Sequence, residues 1–301
     1  MAPGEVKDAA HLWRSGLLGE PRSVEVAGGR LDFFERGEGP ALVFSHGWLA
    51  NANLWREVVD RLCERFRCLA LDLPLGSHRT AMDADADLGP HGVASLIADV
   101  LERLDLSGVT LVGNDSGGAY SQMALARHGE RVGARVDRLI LTSCETPYDE
   151  WPPEPFTGLP AAAADPEVLG QLLKALEDPE VRLAPVAYGL LAKQPLPVEV
   201  SDAYALPASR DEGVLRDVAK AMASAATAPV REAGERLIAS SEIPVLLIWS
   251  REDTVFPIAH AERYAAALKH GRLVSVDDSF SFTPEDQPQA VAAAIAEFAG
   301  P

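Results

Sequence analysis

The residues best placed to do chemistry lie in the stretch Val112-Gly113-Asn114-Asp115-Ser116-Gly117-Gly118. It follows an apolar, β-type run, Val109–Val112, and opens a helical run from Ala119 to Ala126. Glycines at 113 and 117 permit a sharp strand-to-helix turn, which projects the residue between them above the sheet. In the register Gly-x-nucleophile-x-Gly that residue is Asp115. A carboxylate there suits displacement at an sp³ carbon through an alkyl ester and suits acyl transfer poorly. Asp115 could instead cap the following helix. In a shifted register Ser116 would be the nucleophile, with Asn114 in a flanking position that calls for a small residue. Further candidates are His46-Gly47-Trp48 after an apolar run and the carboxylates Glu145 and Asp253, each also readable as an ordinary loop residue or helix cap.

These residues need a scaffold, and the chain alternates strand and helix patterns. Ser23–Ala27 and Arg30–Glu35 alternate around Gly28-Gly29 as a hairpin. Strands are expected at Ala41–Ser45, Arg67–Leu73, Val109–Val112 and Arg138–Thr142, with helices at Leu54–Phe66, Val93–Leu104 and Ser116–His128. Residues 80–92 form an acidic loop. The pattern breaks at Pro147 and resumes at Pro244–Trp249, with a helix at 258–269, a strand at 272–276 and a helix at 288–299. Between the two parts lies an Ala- and Pro-rich segment with helical stretches near 167–177, 181–192, 199–206 and 211–226. The alternation predicts a doubly wound, mainly parallel α/β sheet.

Over residues 22–299 the chain resembles α/β-hydrolases of the haloalkane dehalogenase and epoxide hydrolase type. The resemblance is carried by His46-Gly47, the elbow at 113–118, Asp253 after a strand and Asp286-Gln287-Pro288. The pattern divides the chain into a core of residues 22–146 and 238–301, an inserted helical cap of 147–237 and an N-terminal arm of 1–21, expected to be loosely held because it has no clear periodicity. The resemblance implies particular roles for the residues of this core. It gives Asp115 the nucleophile's position and the backbone N–H groups of Trp48 and Ser116 that of an oxyanion hole. It further implies that the Trp48 indole could serve a departing halide, and that Asp253 or Glu145 is the acid that orients a histidine. Leu49 stands where epoxide hydrolases usually have proline.

One position departs from the pattern. The catalytic histidine should lie five residues before Asp286, where Ser281 stands, and no histidine follows His270. Serine is no base at neutral pH. Among the histidines at 11, 46, 78, 91, 128, 260 and 270, His78 follows a strand at the carboxyl edge of the sheet. It is the candidate replacement base, and a loop hydrogen bond is its ordinary alternative. His46 reads as a loop brace. Trp151, Phe156, Tyr188 and Tyr204 of the cap could wall an apolar pocket, with Ser281 as a further substrate contact.

The 301 residues carry a net charge of −18, which argues against nucleic acid and anionic membrane surfaces as partners. There is no basic-apolar leader at the start and no apolar run of membrane-spanning length. The 3 cysteines match no zinc spacing and read as reduced packing residues of a cytoplasmic protein. No cofactor or metal motif is present. The sequence therefore predicts an enzyme acting on a small apolar molecule through Asp115, by hydrolysis at an epoxide or carbon–halogen carbon. Non-hydrolytic acid/base chemistry (an isomerase, lyase or cyclase) and a non-catalytic ligand-binding protein are the alternatives. A homodimer is left open.

Overall fold

A computed structural model describes residues 10–300. Eight strands form one sheet: β1 Glu20–Val26, β2 Gly29–Arg36, β3 Ala41–Ser45, β4 Arg67–Asp72, β5 Val109–Asn114, β6 Val136–Thr142, β7 Val245–Ser250 and β8 Gly271–Val276. Their order is β1-β2-β4-β3-β5-β6-β7-β8. The β1–β2 hairpin is antiparallel and joins β4 antiparallel, while the strands from β4 to β8 are parallel. β3, β5 and β7 are buried along their whole length, which is why they read as unbroken apolar runs. Neighbouring residues still point to opposite faces. Leu111, Leu139, Leu141 and Leu247 pack into one layer, and Val112, Ile140, Leu246 and Ile248 into the other.

Among the described residues the nine longer helices are α1 Arg56–Leu62, α2 Pro90–Arg103, α3 Ser116–Arg127, α4 Pro166–Ala175, α5 Val198–Ala205, α6 Glu212–Ala223, α7 Thr227–Ser240, α8 Ile258–Ala267 and α9 Pro288–Ala299. α2, α3 and α8 cover one face of the sheet, and α1 and α9 the other. The cap begins after β6 and holds no strand among its described residues. Its helices start where the local chemistry allows. Asp165 accepts from the amides of Glu167 and Val168 to open α4, and Asp211 does the same for Gly213 and Val214 to open α6.

Two expectations need correction. Residues 10–21 are firmly held: Leu18 is fully buried, and the Arg14 guanidinium pairs with buried Asp72 at 2.7 Å. Residues 1–9 of the expected arm lie outside the described residues. Thr227–Ser240, in the expected cap, packs along the elbow helix α3. The helix expected at 181–192 is two single turns, Pro179–Arg182 and Tyr188–Leu191, with non-helical residues between them. No helix among the described residues is long and apolar enough to cross a membrane.

Candidate active site

Asp115 sits between the end of β5 and the start of α3 with φ of 52°. Such a conformation is costly outside glycine and persists only where the surroundings impose it. Here they do. A Cβ on Gly113 would lie 2.6 Å from the Gly118 Cα, so strand and helix meet too closely for any side chain. The turn is fixed further by the Asp115 amide donating to the Ser143 carbonyl at 3.0 Å. Its carboxylate leans back over the β3 loop: a Cβ on Gly47 would fall 2.6 Å from Asp115 Cγ and 2.7 Å from Oδ2. Oδ1 accepts from the Ser116 amide, and the Ser116 hydroxyl lies 3.1 Å from it. The Ser116 amide and hydroxyl thus both donate to the Asp115 carboxylate.

A cavity of about 250 Å³ opens above Asp115. Its polar floor consists of Asp115, Ser116 and Glu145, beside Trp48. Its walls are apolar, including Phe156, Leu169, Leu173, Tyr188, Met222 and Phe256. The mouth lies in the cap, where Leu172 and Val186 line the cavity yet are 47 % and 78 % exposed. The α4 side of the wall comes from Leu169, Leu172, Leu173 and Leu176, an i, i+3, i+4, i+7 stripe. That spacing was available in the sequence as a signal for a pocket wall.

The two carboxyl groups of the floor differ. Burial pushes the Asp115 carboxyl up to about 6, opposed by the Ser116 hydrogen bonds and assisted by the charge of Asp253. Glu145 is 1 % exposed, and no other residue donates to either of its carboxyl oxygens; only its own backbone N–H lies close. Burial, and then the neighbouring charge of Asp115, hold Glu145 well above the usual carboxylate range. Both carboxyl groups of this floor are thus held above the ordinary carboxylate range, Asp115 by burial and Glu145 by burial and the Asp115 charge. Raised carboxyl groups sharing one cavity are suited to proton transfer.

Asp253 and Ser281 keep the relation of an acid to the residue it orients. The Ser281 hydroxyl donates to Asp253 Oδ1 at 2.8 Å, and the same oxygen caps the turn after β7 through the amides of Val255 and Phe256. Ser281 is fully buried and is not among the cavity-lining residues; its hydroxyl is committed to Asp253. Asp253 does not line the cavity either, and reaches Asp115 only through its charge.

His78 also lies elsewhere. It is absent from the cavity lining, and its Nε2 is 3.2 Å from the buried Asp217 of α6. Asp217 accepts in addition from the Met82 amide. Together with Ser77 donating to the Tyr204 carbonyl and Asn51 donating to the Ala203 carbonyl, this pair ties the cap to the sheet's carboxyl edge. The expected replacement base is a latch between core and cap. His46 is the brace that was expected: its Nε2 accepts from the Leu73 amide at 2.9 Å, which leaves the proton on Nδ1, 2.8 Å from the Gly47 carbonyl. Burial lowers its pKa to about 4, so it is neutral.

The aromatic residues divide similarly. The Trp48 indole N–H donates to the Tyr120 hydroxyl at 3.0 Å. Trp151 does not line the cavity; it stacks on Trp48, 5.6 Å between ring centroids, and backs that wall. Tyr188 lines the cavity with its ring, but its hydroxyl donates to the Leu49 carbonyl at 2.6 Å. Tyr204 donates to Glu285 at 2.8 Å, away from the cavity. Tyr120, which the sequence reading did not single out, shapes the site by receiving the Trp48 indole. No cluster of three or more His, Cys, Asp or Glu suited to a metal ion occurs among the described residues.

This geometry agrees with what the chain is similar to. Residues 40–288 match the alpha/beta hydrolase fold family. An uncharacterized protein of Mycobacterium tuberculosis is 30% identical over 275 residues, covering 87% of this chain and 76% of that protein. The haloalkane dehalogenase 2 of the same organism is 25% identical over 290 residues, covering 92% and 94%. Among solved structures, the haloalkane dehalogenase DatA from Agrobacterium tumefaciens superposes with a TM-score of 0.76 at 19% identity, covering 95% of this chain and 99% of that one. An alpha/beta hydrolase fold protein from Burkholderia ambifaria gives 0.77 at 23% identity, covering 92% and 97%. With the eight-stranded, mainly parallel sheet in place and residues 40–288 matched, the chain belongs to the alpha/beta hydrolase fold family.

Proposed function

We propose that this protein hydrolyses a small apolar substrate at an sp³ carbon, at an epoxide or a carbon–halogen bond, with Asp115 as nucleophile. The observation that carries this reading is the presentation of the Asp115 carboxylate at the floor of an apolar cavity, with Oδ1 held by Ser116 and Oδ2 over Gly47. A carboxylate with one oxygen anchored has the other available to form an alkyl ester. Once that ester forms, its carbonyl oxygen lies against the Ser116 donors, the arrangement that stabilises a tetrahedral oxyanion. The dehalogenase-like relatives support the reading at the level of fold and low identity.

The test uses styrene oxide and 1-bromohexane as probes. Either turnover or a covalent mass adduct on the peptide containing Asp115 is expected, and both should vanish in Asp115→Asn. A second reading draws on the bond between Ser281 and Asp253, which leaves no histidine base at the usual place. In it, Asp115 is a general acid/base in an isomerisation, elimination or ring closure. Turnover that needs Asp115 but leaves no adduct and consumes no water would favour that reading. Ligand binding without turnover would favour a binding protein.

A further inference from the structure

Glu145 is the group the reaction so far leaves unused. It is buried on the cavity floor beside Asp115, and neither oxygen has a partner from another residue. A buried polar group left unpaired is costly, so its retention in an apolar pocket calls for an explanation. Packing supplies none: Gln122 Nε2 donates to the Glu145 backbone carbonyl at 2.7 Å and would do so whatever the side chain. The remaining titratable groups around it are Asp115, Asp149, Cys144 and Tyr120. Asp149 is committed to Thr146 and His260, and the Tyr120 hydroxyl receives the Trp48 indole. Of these carboxyl groups, Glu145 and Asp115 line the cavity.

We propose that Glu145 is the catalytic acid and then the catalytic base of this site, and that the substrate class is an apolar epoxide. This rests on Asp115 being the nucleophile. In the first step the free Asp115 oxygen forms a bond to one epoxide carbon, the ring C–O bond breaks, and the Glu145 proton goes to the oxygen released. The site then holds a neutral ester at Asp115 and a carboxylate at Glu145. In the second step Glu145 takes a proton from water as the water oxygen bonds to the ester carbonyl carbon. The tetrahedral species expels the alkoxide, which receives the other proton of that water. Epoxide and water have become a diol, Asp115 is again a carboxylate and Glu145 again an acid. The cycle closes without a histidine.

The same proton count separates epoxides from alkyl halides. A halide leaves without a proton, so Glu145 stays protonated and has no capacity to activate water. Burial and then the Asp115 charge raise the Glu145 carboxyl well above the usual carboxylate range, which favours the acid form that the first step needs. The commitment of the Trp48 indole to Tyr120 points the same way, because a departing halide needs such a donor and an epoxide oxygen protonated by Glu145 does not.

The experiment compares styrene oxide with 1-bromohexane in wild type, Asp115→Asn, Glu145→Gln and Glu145→Met. The methionine variant removes the acid without leaving an amide unpaired. Wild type is expected to turn styrene oxide over repeatedly and to stop after one equivalent of 1-bromohexane, with hexyl on Asp115. Both Glu145 variants should still take up one hexyl group, which shows that their elbow is intact, and should lose epoxide turnover by about 10²- to 10⁴-fold. Any ester they form from the epoxide should persist. Two results would overturn the Glu145 roles and leave Asp115 standing: wild-type epoxide turnover in both variants, or repeated bromohexane hydrolysis by wild type. Absence of hexyl labelling and of epoxide turnover in wild type would overturn the nucleophile reading itself, and the Glu145 roles with it.

Discussion

Replacing Asp115 by Asn should stabilise the protein, and only above a defined pH. Burial raises this carboxyl from 3.8 to about 6, so its ionised form is disfavoured in the folded chain. Below about pH 4 the side chain is protonated in both folded and unfolded states, and the charge costs nothing. Between about pH 4 and 6 the unfolded state releases its proton first, so native stability falls as pH rises. Above that window the full penalty stands. At ~1.4 kcal/mol for each tenfold, the rise from 3.8 to about 6 corresponds to ~3 kcal/mol. Asn cannot ionise, yet its carbonyl can still accept from Ser116. The difference between Asp115→Asn and wild type should therefore be near zero at pH 4 and reach ~3 kcal/mol at pH 8, several degrees in Tm. Thermal and urea unfolding of both proteins at pH 4, 6 and 8 would measure it. An Asn variant no more stable than wild type at pH 8, or equally stabilised at every pH, would refute the claim that the elbow holds a carboxylate at an energetic cost.

Epoxide turnover should follow a bell-shaped pH profile, rising through about pH 6 as Asp115 ionises and falling at higher pH as Glu145 loses its proton; the two limbs belong to the coupled pair, and a flat profile from pH 5 to 9 would contradict it. Gly47→Ala should lower bromohexane labelling of Asp115 by more than about tenfold while the chain still folds, because the added methyl would lie 2.6 Å from Asp115 Cγ; unchanged labelling kinetics would show that the carboxylate is not held over Gly47. Ser281→Ala should cost ~1 kcal/mol of stability by removing the donor to Asp253, with little change in labelling or turnover, since Ser281 does not line the cavity; a large loss of turnover would give Ser281 a catalytic part.

Much of the scaffold was legible because its physics is local. β3, β5 and β7 are buried on both faces and read as apolar runs, and the glycines at 113 and 117 announce a strand-to-helix turn around Asp115. Side-chain partners were not legible where they lie far along the chain. His78 was rightly placed at the sheet's carboxyl edge, but its side chain meets Asp217, 139 residues on, and so serves the cap instead of the cavity. The Trp48 indole looked available until Tyr120, 72 residues away, took it up. The arm looked loose because nothing near Arg14 in sequence hints at Asp72, 58 residues on. Glu145 was ambiguous for a different reason. Its distinguishing property is the lack of a partner inside the fold, and only the packed structure can display that.

The most direct test of Asp115 as a nucleophile is a single turnover of styrene oxide in oxygen-18 water, followed by peptide mass analysis. Water attacks the ester carbonyl in this scheme, so the first oxygen-18 atom is expected in the Asp115 carboxylate, with unlabelled diol released. Labelled diol in that first turnover, with no oxygen-18 on the Asp115 peptide, would contradict it.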